Sequence, residues 1–269
     1  MYRLLLIFIL VTSSFSYEII NGKTFLLEVE KGAKILKEGK ELPLLKHPSK
    51  EDSFFVLLPI GYKDKIKDIE LLHVKGKKSE KVLLHVKKGN YKKETLKVSA
   101  KKVNPPKKEL DRIYTEYLES KKVYAIYTKK RYWSKPFKNP MTSKITSQYG
   151  NARIFNGSLK SFHSGTDFRA PTGTPINTIN DGVVVVASDR YYSGNAVIID
   201  HGEGVYSSYS HMSHIDVKVG QHVKQGETLG LSGATGRVTG PHLHFSIILQ
   251  SKKIDPLDFI SKINGLIKK

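Results

Sequence analysis

The chain has 269 residues, of which 39% are hydrophobic, with no cysteine and a formal net charge of +20. That is enough apolar material for one large or two smaller packed domains. The lack of cysteine excludes disulfides, thiolate metal sites, cysteine nucleophiles and a lipid-modified cysteine.

The first sixteen residues predict the compartment. Arg3 is a short positive start, Leu4 to Val11 an apolar run, and Ser14-Phe15-Ser16 places small residues before a cleavage point at Tyr17. This is the pattern of a secretory signal peptide over 1–16. The apolar run is far short of the roughly 20 residues that cross a bilayer. The expected location is periplasmic or cell-wall associated, with an inner-membrane anchor if the signal stays uncleaved.

The positive charge sits mostly in the first half. Residues 17–138 carry 31 Lys and Arg against 16 Asp and Glu, and residues 139–269 carry 13 against 9. Such an excess favours anionic polymers or an anionic cell-envelope surface. No nucleic-acid motif accompanies it, so nucleic acid is not an expected partner.

Residues 17–102 predict a small β-sandwich-like module. Thr24–Val29, Phe54–Ile60, Ile69–Val74 and Lys81–Val86 are short apolar runs ended by charge, glycine or proline. His73 and His85 fall at matching places in two Leu-Leu-His-Val-Lys runs, where a polar strand face is expected rather than a metal-binding pair. Residues 103–138 form a linker. Pro105-Pro106 breaks the chain, and Lys108–Lys121 predicts a helix with Leu110, Ile113, Tyr114 and Tyr117 at helical spacing. The aromatics between Tyr114 and Trp133 either pack the linker or stack on sugar rings.

From residue 139 glycine becomes frequent and β-branched runs alternate with turns. Gly182–Ala187, Gly194–Gly202 and Val205–His211 predict strands of an antiparallel domain over 139–257. Val219–Glu227 has the spacing of a tight hairpin, and a new strand starts at Thr228. Residues 258–269 form a helical tail, and a helix is expected over Leu257–Ile267 with Leu257, Ile260 and Ile263 on one stripe.

Two patterns carry chemistry. In Gly240-Pro241-His242-Leu243-His244-Phe245 two histidines stand two apart on a predicted strand, so both face one way. That is a metal site, a proton-transfer site, or both. In His163-Ser164-Gly165-Thr166-Asp167 a histidine and an aspartate stand four apart, again on one face if the segment is extended. Two nitrogens and one carboxylate leave a fourth tetrahedral position open, which is the pattern of a catalytic rather than a structural zinc. Between them lies Tyr209-Ser210-His211-Met212.

These three motifs, in this order, resemble the lysostaphin-type or LytM-type zinc peptidoglycan endopeptidases. Ile145–Arg153, Ala170–Ile176 and the glycines from Gly226 to Gly240 fit the same family, and the resemblance covers roughly residues 140–257. It implies one Zn2+ held by His163, Asp167 and His244. It implies catalytic roles for His211 and His242 beside a metal-activated water. The substrate implied is peptidoglycan, with a D-alanyl–diamino acid cross-link as the expected bond. The alternative is a non-catalytic scaffold of the same type that binds wall or activates a wall amidase. A lipoyl-like carrier fits the glycine-rich hairpin, but Val223-Lys224-Gln225 is not the usual carrier turn. No His-Glu-x-x-His helix and no Gly-x-Ser-x-Gly elbow is present. His201 reads as structural, and His214 and His222 as surface residues. His47 lies in a loop, and Arg153 either meets a substrate carboxylate or makes a structural ion pair. The expected fold is mainly β.

Overall fold

The computed structural model describes the backbone of residues 10–267, with side chains from Phe15 onward except Leu159. The first nine residues of the signal-like segment lie outside the described residues. The chain is mainly β and divides into two compact units, 1–88 and 89–269.

In the first unit, β1 (Leu10–Ile20), β3 (Ala33–Lys37), β4 (Lys40–Glu41), β7 (Ile69–Lys75) and β8 (Lys78–Lys87) form one sheet, in the order β1-β8-β7-β3-β4. A second sheet, β2-β6-β5, is made of β2 (Thr24–Glu30), β5 (Leu45–Lys46) and β6 (Ser53–Pro59). Ile35, Val56, Leu71 and Leu84 are buried together in the core of this unit. Each comes from a run legible in the sequence by its apolar content. β1 passes through the expected cleavage point, and Tyr17–Ile20 pairs in parallel with Leu84–Lys87. His73 lies opposite Glu80 and within 3.3 Å of Glu30, while His85 contacts Asp68 at 3.0 Å. Each histidine thus has its own carboxylate, and both lie on a polar strand face.

The second unit begins at Gly89, earlier than the boundary at 102/103 read from composition. The reason is β9 (Lys93–Leu96), which pairs in parallel with β11 (Ala152–Phe155) and sets Glu94 opposite Arg153. β12 (Leu159–Phe162) closes that small sheet. Before it come α1 (Ala100–Val103), α2 (Lys107–Ala125) and β10 (Ile145–Ser147). The remaining strands are β13 (Thr166–Arg169), β14 (Pro175–Asn177), β15 (Gly182–Arg190), β16 (Gly194–Gly202), β17 (Val205–Ile215), β18 (His222–Val223), β19 (Thr228–Ser232), β20 (His242–Leu249) and β21 (Lys252–Ile254). The main sheet runs β10-β13-β20-β17-β16-β15-β18, with β19 joining β14 to β17. β18 pairs with β15 rather than with β19, so Val219–Glu227 does not fold back as a hairpin. Its glycines make turns between strands that pair elsewhere.

α3 (Pro256–Ile267) starts where Asp255 Oδ1 accepts the backbone N–H of Leu257 at 3.0 Å, an N-cap. It buries Phe259, Ile260, Ile263 and Leu266, while Leu257 is only half-buried. α2 departs further from its sequence reading. Leu110, Tyr114 and Tyr117 are exposed, and no residue of the helix is fully buried. Its inner face is polar instead. Arg190 donates to Glu116 O and to Ser120 Oγ, Glu116 accepts the Tyr191 N–H at 2.9 Å, and Tyr124 packs edge-on against Tyr206. Trp133 is buried beside Phe137 and Arg131, so it packs the segment down. Among the described residues no helix is long and apolar enough to cross a membrane.

His201 is fully buried on β16. Its Nδ1–H donates to Asp181 O at 2.7 Å and its Nε2 meets Ser207 Oγ at 2.7 Å. Burial pushes its pKa down from 6.5 to about 4. The unfolded chain therefore takes up a proton below pH 6.5, where the folded chain does not. The stability tied to this residue is complete above pH 6.5 and is lost as pH falls toward 4, a change of roughly 3 kcal/mol. Thermal melts at fixed metal content should show His201→Gln with a shallower fall in Tm across that window than the parent chain.

Candidate metal centre

β20 supplies the floor of the site. Leu243, Phe245, Ile247 and Leu249 alternate into the core, which puts His242, His244 and Ser246 on the opposite face. β13 lies antiparallel beside it with Asp167 directly opposite His244. Opposed residues of an antiparallel pair share a face, with Cβ atoms about 5 Å apart. His163 arrives from the bend between β12 and β13 rather than from an extended segment. Its backbone N–H is held by Asn151 O at 2.8 Å, and its carbonyl accepts from Gly150 N at 2.8 Å. Gly165 lets that bend press against β20. A Cβ there would come within 2.3 Å of Phe245 O and 2.9 Å of His244 Cε1.

Three donor atoms converge. His163 Nε2 is 2.8 Å from Asp167 Oδ1 and 3.0 Å from His244 Nδ1, and His244 Nδ1 is 2.8 Å from the same Oδ1. The outer hydrogen bonds fix the tautomers. His163 Nδ1 faces the carbonyl of Gln148 at 2.7 Å, which can only accept, so the ring proton sits there. Ser246 Oγ gives its proton to Ser164 O and so accepts from His244 Nε2 at 3.0 Å. Both inward nitrogens then carry lone pairs, and both point at a carboxylate oxygen. Burial pushes the His244 pKa down to about 4, so no second proton relieves the contact at neutral pH. Burial raises the Asp167 pKa, while any proton on the inward nitrogen of His163 or His244 draws it well below the usual carboxylate range. Three lone pairs at such separations suit one small cation with N and O bonds of about 2.0–2.2 Å. The donor set, two nitrogens and one oxygen, fits zinc.

The outer oxygen of Asp167 is also held. Arg153 Nη2 donates to Asp167 Oδ2 at 2.5 Å, and Arg153 Nε donates to Glu94 Oε2 at 3.1 Å. Glu94 further accepts from Ser147 Oγ at 2.8 Å and Asn151 Nδ2 at 2.6 Å. Of the two readings of Arg153, the structure shows the ion pair. Glu94 was not visible as a site residue, because its only signal is a long-range strand pairing.

His211 and His242 lie beside the triad. His211 occupies a bulge of β17 at φ +67°, a left-handed conformation that costs a histidine strain and re-aims its ring. Its Nδ1–H donates to Thr235 O at 2.8 Å, and the Nδ1–H of His242 donates to Gly240 O at 2.8 Å. Both Nε2 atoms are thereby left as acceptors, and His242 Nε2 stands 3.8 Å from Asp167 Oδ1. The two rings are 4.8 Å apart. Burial, then the neighbouring His244 and His242, push the His211 pKa down to about 3. Two cavities open here. One of about 860 Å³ lies between α2 and the sheet and reaches His244, and one of about 320 Å³ is lined by Glu94, Arg153, His211, Arg237 and His242.

The His/Asp/His cluster lies on one face of a mainly β sheet. Residues 161–256 match the model of Peptidase family M23, and this segment is an M23 peptidase domain. The lysostaphin-type resemblance read from the motifs agrees with that assignment. Peptidoglycan DD-endopeptidase ShyA of Vibrio cholerae is 50% identical over 95 residues, covering 35% of this chain and 22% of that protein. An uncharacterized metalloprotease of Buchnera aphidicola is 39% identical over 163 residues, covering 56% of this chain and 43% of that protein. The chain thus spans less than half the length of either relative. A solved Pseudomonas aeruginosa structure assigned to peptidase M23 superposes with a TM-score of 0.68 at 27% identity, covering 90% of this chain and 94% of that one.

Two substitutions probe the support of the triad. Glu94→Gln leaves Arg153 to draw charge from Asp167 alone, so zinc affinity should fall by roughly 10–100-fold in a chelator competition titration. Gly165→Ala should displace His244, lowering both Tm and zinc affinity in the same assay.

Proposed function

We propose that this protein is an exported zinc endopeptidase that hydrolyses peptide cross-links of peptidoglycan, at bonds between D-alanine and a diamino acid. The observation that carries this is the convergence of His163 Nε2, Asp167 Oδ1 and His244 Nδ1, beside two histidines whose Nε2 atoms are kept free. The signal-like segment 1–16 supports export. The relatives named as peptidoglycan DD-endopeptidases support the substrate.

His163, Asp167 and His244 would hold the metal. The zinc supplies a Lewis acid that acidifies a water and polarises the scissile carbonyl. The chain's own residues do the rest. Asp167 brings one negative charge to the centre, and Arg153 keeps its second oxygen turned away. His211 and His242 turn their Nε2 atoms toward the groove as two acceptors. One can take the proton released when the water attacks. Protonated, an imidazole can donate to the carbonyl oxygen as it gains charge, or to the departing amine. The backbone carbonyls of Thr235 and Gly240 hold the rings in the tautomer this needs. The sheet beneath is packed and fixed, so the proton acceptors are aligned before substrate arrives. The basic residues of 17–138 can retain anionic wall or envelope material.

The test is digestion of purified sacculi by the zinc-loaded chain, with products identified by mass spectrometry. New D-alanyl carboxyl termini and free diamino acid amines are expected. One equivalent of zinc with no new termini points to the scaffold role instead. The two strand histidines should separate in the same assay. His244→Ala should lose zinc, as read by metal analysis. His242→Ala should keep zinc and lose turnover by roughly 10²–10⁴-fold.

A further inference from the structure

The cavity of about 320 Å³ beside His211 and His242 has a cationic wall that the hydrolytic steps leave unused. Of its two guanidinium groups, Arg153 is occupied by Asp167 and Glu94. Arg237 is placed differently. Its backbone is locked, because a Cβ at Gly236 (φ +81°) would come within 2.4 Å of Gly194 N, and Arg237 N–H donates to Tyr192 O at 2.9 Å. Its guanidinium carbon lies 4.5 Å from the ring centroids of both Phe155 and Tyr192. Among the described residues nothing accepts a hydrogen bond from that guanidinium, although the side chain is half-buried. A partly desolvated cation with open N–H donors is an unmet demand for an acceptor. Stacking between rings restrains the guanidinium and leaves its donor edge for a planar, bidentate partner. A carboxylate fits that description. A dianion fits poorly, because the Glu94 and Asp167 carboxylates line the same small cavity.

We propose that Arg237 is a specificity residue that pairs with a free carboxylate on the substrate, on the amine side of the scissile amide. This rests on the peptidase reading above and narrows it. The diamino acid must carry a carboxylate on the carbon that bears the cross-linked amine, as a diamino diacid does. A lysine-type residue, with a bare methylene there, leaves Arg237 unpaired. Arg237 and His242 line the same cavity, in which the carboxylate and the leaving amine of one residue can both be placed.

The experiment uses the full zinc-loaded chain and two synthetic cross-linked peptides. They differ only at that carboxylate, free in one and a carboxamide in the other. The wild type should cleave the acid with a kcat/KM roughly tenfold or more above the amide, mostly through KM, the scale of one charge-assisted pair. Arg237→Gln should bring the ratio near one, and Arg237→Lys should keep part of it. Zinc content and Tm of each variant are measured alongside. Equal wild-type rates on both peptides overturn the assignment and leave the peptidase reading standing. So does Arg237→Gln if it slows both peptides alike and keeps the ratio, since that marks a purely structural clamp. Cleavage of neither peptide by the zinc-loaded wild type overturns the peptidase reading, and the inference with it.

Discussion

The site depends on one contact: the approach of His163 Nε2 and His244 Nδ1 to the same oxygen of Asp167. A buried carboxylate is costly, and two lone pairs directed at it make the arrangement unstable without a cation. Everything around the triad acts to keep these three atoms together. The antiparallel pairing of β13 with β20 fixes the aspartate opposite His244. Carbonyl and hydroxyl acceptors on the far side of each ring hold the protons away from the centre. Gly165 allows the close pass, and Arg153 satisfies the oxygen that the imidazoles do not reach.

The functional unit is larger than the segment matched by the family. β9, which lies well before residue 161, carries Glu94 into the network behind Asp167. α2 forms one wall of the wider cavity, with exposed Tyr114 and Tyr117 along it. The helix is held there by polar contacts from Arg190 and Glu116 rather than by an apolar stripe. The hydrophobic spacing located the helix, but not the polar contacts that hold it. Leu110, Tyr114 and Tyr117 line the wider cavity and stay exposed.

The strands were legible wherever one face was strongly apolar, as in Thr24–Glu30, Gly194–Gly202 and His242–Leu249. Pairing was not. Val219–Glu227 has hairpin spacing, yet its strand joins β15, because pairing is decided by which edge is open and not by local turn residues. Among the functional residues, the histidines and the aspartate stood out by type and spacing. Ser246 could have been found, since it sits two residues past His244 on the same face. Glu94 and Arg237 could not. Neither differs locally from dozens of other charged residues in this basic chain.

The sequence by itself determined the mainly β character, the family motifs and the fact that His242 and His244 share a face. These follow from local rules: a side-chain period of two along a strand and conformations that glycine permits. The tertiary structure decided that the two histidines differ. His244 turns Nδ1 toward Asp167, while His242 is tethered through Nδ1 to Gly240 O and keeps Nε2 open. It also decided that Arg153 is ion-paired, while Arg237 stacks on two rings and meets no hydrogen-bond acceptor for its guanidinium among the described residues. Which ring nitrogen holds a proton, and which guanidinium is ion-paired, depend on acceptors brought from distant strands. No periodicity in the chain encodes those distances.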